Sequence, residues 1–112
     1  MKAPLLRYAI TAYSEWETLD VETDCPDDGY AINKARRYGS LQHISTNFPS
    51  VIFAHVASDE PDAPRDVGTW EYRLRHTKKP GFIWHPGTWL QRPMPEDRPA
   101  IRRWAAGFAD GS

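Results

Sequence analysis

Ser50-Val51-Ile52-Phe53-Ala54-His55-Val56-Ala57-Ser58 is the most continuous apolar run in the chain, and its reading decides the fold. It is rich in β-branched and aromatic residues, and Pro49 stands just before it. An apolar run of this length between turn signals predicts a strand covered on both faces, in the middle of a sheet. Only His55 interrupts it.

Two alternating stretches lie upstream. In Leu5–Tyr13, the residues Leu6, Tyr8, Ile10 and Ala12 share one face. In Trp16–Thr23, Leu19 and Val21 point one way while Thr18, Asp20, Glu22 and Asp24 point the other. Period two predicts half-buried strands, and the short polar link at Ser14-Glu15 predicts an antiparallel hairpin. Asp27 or Asp28 is positioned to cap a helix in which Tyr30, Ala31, Lys34, Ala35 and Tyr38 recur at helical spacing. Gly39 reads as its C-cap, with Lys34, Arg36 and Arg37 gathered toward the end that the helix dipole favours for cations. A further helical turn is expected over Leu41–Thr46.

Downstream of the central run, Asp59–Asp66 is a Pro-containing polar loop, and Val67–Arg75 alternates with Trp70, Tyr72 and Leu74 on one face. His76–Gly81 is a basic turn and Phe82–His85 a short strand, while Pro93, Pro95 and Pro99 interrupt regular structure beyond it. Pro99 can open a last short helix carrying Ile101, Trp104, Ala105 and Phe108. The expectation is one α+β domain over 1–112: a small, mostly antiparallel sheet in the order β-β-α-β-β with one helix packed on one face. The helical crossover leaves a mixed sheet open. Residues 1–75 form the core, and 76–112 an irregular Trp/Pro-rich arm with a short strand and a short helix.

Composition narrows the function classes. A chain of 112 residues that is 40% hydrophobic and 26% charged is a globular domain rather than a disordered tail. A single cysteine, Cys25, makes no internal disulfide or Cys-based zinc site and fits a reducing compartment. Ala3–Leu6 is too short for a signal-peptide core, and no run reaches the roughly 18 apolar residues of a membrane span. A cytoplasmic protein without cofactor, metal or membrane partner is expected.

Catalytic patterns are missing from the sequence. His43, His55, His76 and His85 form no ligand-spaced pair. None of the serines has a nucleophile-elbow context, and there is no phosphate-cradling glycine pattern. His55 reads as a hydrogen-bonded core or rim residue, and Cys25 as a small structural thiol.

Charge is distributed unevenly. Residues 1–72 hold twelve acids against six bases, and residues 73–112 hold eight bases against three acids. Asp20, Glu22 and Asp24 line one strand face and are a candidate docking face for a basic partner. A solvated edge, or pairing with Arg73 and Arg75, also accounts for them. Arg73, Arg75, Lys78, Lys79, Trp84, His85 and Trp89 interleave cations with rings and are a second candidate, for a protein or for nucleic acid. Three functions are therefore expected in order: a non-catalytic macromolecular interaction protein, binding a protein or self-associating as a homodimer; a nucleic-acid module using the arm over 73–103; and a small enzyme with His55, Tyr72 or His85 in a pocket between helix and arm.

Overall fold

The computed structural model describes residues 4–41, 51–62, 64–74, 77–78, 80–87 and 93–107. They form strands β1 (Leu6–Tyr13), β2 (Thr18–Cys25), β3 (Val51–Ser58), β4 (Arg65–Arg73) and β5 (Gly81–Pro86), with helices α1 (Asp28–Leu41) and α2 (Arg98–Ala106). One five-stranded sheet runs in the order β2-β1-β3-β4-β5. The fold is a small antiparallel α+β domain.

β3 is the middle strand, and every residue from Val51 to Val56 is buried. The sheet is not mixed: β3 pairs antiparallel with both β1 and β4. The reason lies in where α1 delivers the chain. It carries it from β2 across β1, so β2 and β3 run in the same direction but are separated by β1. The β1–β2 hairpin closes without Asn-Gly because Ser14 replaces that turn chemistry. The Ser14 Oγ accepts from the backbone N–H groups of Trp16 and Glu17, and the Ser14 N–H donates to the Glu17 carbonyl.

Each face of the sheet has its own core. On one face Tyr8, Ile10, Ala12, Cys25, Ala54 and Val56 pack with Ala31 and Ala35 of α1, and Trp70 and Trp84 border them. The two alanines give α1 a narrow face, so the helix lies close on the strands. On the other face Tyr13, Val51 and Phe53 pack with Ile101, Trp104 and Ala105 of α2. The Asp97 side chain caps α2 by accepting from the Ala100 N–H, with Pro99 in the first turn.

Helix α1 departs from expectation at its end. It runs through Gly39 to Leu41, so Gly39 is interior and not a C-cap. An interior glycine costs about 1 kcal/mol relative to alanine, a cost that burial of Ala31 and Ala35 against the sheet outweighs. Of the extra turn expected beyond it, only Leu41 is described, as the last residue of α1; residues 42–46 lie outside the described residues. So do Ser50, Arg75 and Phe108 at the ends of other expected elements. β4 starts two residues earlier than its alternation implies, at Arg65, and the register shifts between Val56 and Ala57 on its partner.

At the start of α1, Asp27 is the cap and accepts from the Tyr30 N–H at 2.8 Å. Asp28 instead accepts from the Tyr8 hydroxyl at 2.6 Å and from the Arg65 guanidinium at 2.7 Å. These contacts tie β1, α1 and β4 together. Burial, together with the Asp28 carboxylate, pushes the Tyr8 hydroxyl up to about 12 from the ordinary 10.0. The folded chain therefore holds this proton more tightly than the unfolded chain. Its contribution is complete below pH 10.0 and is lost as pH rises toward 12. Tyr8→Phe removes that alkaline slope, which chemical denaturation between pH 9 and about 11.5 measures.

Gly68 marks a close approach. A Cβ there would stand 2.6 Å from the His85 carbonyl oxygen and closer still to the Trp84 ring, so Trp84 is seated on bare backbone. Gly68→Ala should destabilise the fold by about 1–3 kcal/mol through overpacking, seen as a lower urea midpoint with an unchanged slope.

Candidate binding surface

The α2 face of the sheet carries a row of buried polar groups beside its apolar core. Glu71 is fully buried in β4. Its Oε2 accepts from the Arg73 Nε at 2.8 Å and the Trp104 indole N–H at 3.0 Å, and its Oε1 accepts from the His85 Nε2 at 2.8 Å. Burial pushes this carboxyl up. The indole, the guanidinium and the imidazole together outweigh burial and hold it below the ordinary 4.5. Nearby, the His55 Nε2 donates to Asp66 at 2.8 Å, and its Nδ1 lies 2.6 Å from the Thr69 hydroxyl.

This arrangement has the residue types of an acid-histidine-hydroxyl relay but not its access. Thr69 and Glu71 are both wholly buried, and His55 is 2% exposed. Each group is taken up by an internal partner. The cluster is what lets a central strand carry a histidine and its neighbour a carboxylate. Sequence alone pointed to a hydrogen-bonded His55, but it did not identify Asp66 and Thr69 as the partners. The register supplies them: Thr69 faces His55 directly, and the shift beside Val56 brings Asp66 opposite Ala57. His55 and His85 flank Thr69 on this face, whereas Tyr72 stacks on Phe82, on the α1 face. The sheet itself separates Tyr72 from the two histidines of the expected enzyme pocket.

The acidic candidates are solvent-facing. Asp20, Glu22 and Asp24 are exposed on β2, an edge strand, and Asp20 accepts from the Thr11 hydroxyl at 3.0 Å. Their pairing with Arg73 does not occur. β1 and β3 stand between β2 and β4, and three strand spacings amount to about 14 Å. In the arm, Arg73 and His85 turn their donors to Glu71. Trp84 is half-buried against Trp70, with ring centroids 5.2 Å apart. Lys78 is exposed, while Arg75, Lys79 and Trp89 lie outside the described residues, as do His43 and His76.

A third surface gathers residues from both halves of the chain. Gly29–Leu41 contains Lys34, Arg36 and Arg37 and no acid. With the helix continuing to Leu41, these cations sit in mid-helix rather than in the last turn. Compensation of the helix dipole falls off within that turn and does not account for them. Arg36 is exposed, yet its guanidinium lies over the Phe82 ring at 4.4 Å and the Trp70 ring at 5.7 Å. The Trp70 indole N–H donates at 2.7 Å to the Ile32 carbonyl, one turn before Arg36, and so locks helix to ledge. Among the described residues no carboxylate pairs with Arg36 or Lys34. Lys34 donates instead to the Thr23 hydroxyl. Grooves of about 290 and 350 Å³ run along this face, the first bordered by Tyr30, Lys34 and Arg37, the second by Asn33, Arg36 and Phe82. The sequence signal was present as the acid-free run Gly29–Leu41. Its meaning was hidden because Gly39 read as a stop.

Comparison with protein-family models, with curated proteins and with solved structures finds no match. Among the described residues, no group of three His, Cys, Asp or Glu side chains is placed to hold a metal, and no helix is long and apolar enough to cross a membrane.

The buried carboxylate makes a pH prediction. The unfolded chain binds the Glu71 proton more readily than the folded one, so unfolding is favoured as pH falls. Stability from this group is complete above pH 4.5 and decays below it. Glu71→Ala should cost about 3 kcal/mol at neutral pH, because it removes the acceptor on which Arg73, His85 and Trp104 converge, and should flatten the acid limb of stability below pH 4.5 in urea titrations.

Proposed function

We propose that this chain is a non-catalytic interaction domain whose working surface is the outer side of α1 together with the Phe82–Trp70 ledge. The observation that carries this reading is Arg36: an exposed guanidinium lying over the Phe82 ring at 4.4 Å with Trp70 beside it at 5.7 Å, and with no carboxylate partner among the described residues. A guanidinium packed over a ring still presents the N–H groups of its fork to a further partner. That is the fork that recognises carboxylate or phosphate in two-point fashion. Lys34 and Arg37 extend the positive field along the same helix, within a half of the chain that is otherwise strongly acidic. A local concentration of one sign orients an incoming partner and raises its association rate.

The polar chemistry elsewhere supports a binding role over a catalytic one. The groups that resemble reactive machinery, His55, Thr69, Asp66, Glu71 and His85, are spent on one another across β3, β4 and β5. A macromolecule that presents an anionic segment fits the α1 face. The exposed Asp20, Glu22 and Asp24 on β2 would let a second copy of this chain present one.

Affinity capture from host lysate tests the proposal, with wild type compared against Arg36→Glu/Arg37→Glu and both protein and nucleic acid identified. Loss of a specific partner on charge reversal, with circular dichroism unchanged, is the expected outcome. Identical capture by the two chains would reject this surface. The expected cost to folding is small, about 0.5–1 kcal/mol for an exposed cation–ring contact.

A further inference from the structure

We infer that the partner of the α1 face is single-stranded nucleic acid, an inference that rests on the reading of that face as the working surface. Charge complementarity gives the first half of the argument. Lys34, Arg36 and Arg37 stand within one helical turn and no acid interrupts them between Gly29 and Leu41. A polyanion that meets three cations releases its condensed counterions, which drives binding without need of a deep pocket.

The rings give the second half and separate nucleic acid from an acidic peptide. Tyr30 is 56% exposed, unusual for a large ring, and lies one turn before Lys34 on the same side of the helix. Phe82 lies half-buried on the other flank, under Arg36, at the edge of the groove that Asn33 and Arg36 border. Phe82 is covered by Tyr72 and Arg36, so Tyr30 is the accessible ring, and an accessible ring beside cations is the arrangement that tracks a phosphate backbone while a base stacks on it. An acidic peptide would use the cations and leave the Tyr30 ring idle. Stacking also needs unpaired bases, which selects single strands over duplex. Asn33, exposed between the two flanks, offers amide donors and an acceptor to a base edge.

The surface differs from the basic arm that the sequence first brings forward. Arg73 and His85 of the arm are committed to Glu71, whereas its Phe82 serves the α1 face from beneath. Two segments more than forty residues apart in the chain thus supply one site, the helix giving the cations and Tyr30 and the strand giving the ring on which Arg36 rests.

Fluorescence anisotropy with labelled oligonucleotides of about a dozen nucleotides, using the full chain, tests the inference. Three phosphate contacts to a single strand predict a slope of about −2 in log K against log salt, or roughly a 20-fold loss from 50 to 200 mM. Arg36→Ala/Arg37→Ala should bring that slope near −0.7 and weaken binding at 50 mM salt at least tenfold. Tyr30→Ala should weaken it at least fivefold with the slope unchanged, since a ring carries no charge. Arg103→Ala, which removes an exposed cation of α2 on the opposite face, should change neither. Absence of an anisotropy change at 50 mM salt overturns the inference, as does equal loss on Arg103→Ala, a Tyr30→Ala variant that binds like wild type, or duplex binding as tight as single strand. If anisotropy is flat while lysate capture still depends on Arg36 and Arg37, the inference fails, the surface stands, and its partner is a protein.

Discussion

The Glu71 carboxylate is the contact on which the arrangement around β4 depends. A charge with no exposed surface is costly unless donors replace the lost water. Here those donors come from three places in the chain: Arg73 on the same strand, His85 on β5 and Trp104 on α2. One side chain therefore fixes the last strand and the last helix to the sheet. Trp104 in turn meets Phe53 edge-on at 6.0 Å, which brings the polar staple into contact with the apolar core over β3. The same carboxylate also fixes what Arg73 and His85 do. In an open loop, cations and rings of this kind would face a partner; in this sheet they neutralise a buried acid.

The two faces of the sheet divide the labour. The α2 face is closed by polar pairing, with His55–Asp66, His55–Thr69 and the Glu71 set side by side across three strands. The α1 face is closed by aromatic packing, with Trp70, Trp84, Phe82 and Tyr72 in mutual contact. Aromatic packing leaves ring surface at the sheet's edge, and Arg36 covers part of it. A guanidinium packed over a ring keeps N–H groups available for a further partner. The outer side of α1 becomes a cationic strip whose geometry is set by the helix docking on Ala31 and Ala35 and by the Trp70–Ile32 hydrogen bond.

Most of the architecture is legible in the residues because its signals are local. The alternation of Leu6, Tyr8, Ile10 and Ala12 needs only neighbours to declare a half-buried strand, and the run Val51–Val56 declares a doubly covered one. Pro99 announces α2, and the pair Asp27-Asp28 announces α1, while the structure assigns the caps to Asp97 and Asp27. The ends are less legible. Gly39 carries the mark of a helix stop, but a helix whose alanines are already seated on a sheet continues through it. That single extension moves Arg36 and Arg37 from the helix end, where cations need no further explanation, to mid-helix, where they do.

By itself the sequence determined the α+β class, the central place of Val51–Ser58, the hairpin before it and the helix between, since each follows from periodicity and capping within a dozen residues. Which cations are committed to a buried acid and which are laid on rings was decided only by the tertiary structure. Strand order sets β2 apart from β4 and denies Asp20, Glu22 and Asp24 their pairing with Arg73. The register at Val56 supplies His55 with its partners. Docking of α1 beside β5 lays Arg36 on Phe82 across a gap of more than forty residues. Charge pairing depends on distance in space, and spacing along a chain fixes that distance only within a single strand or helix.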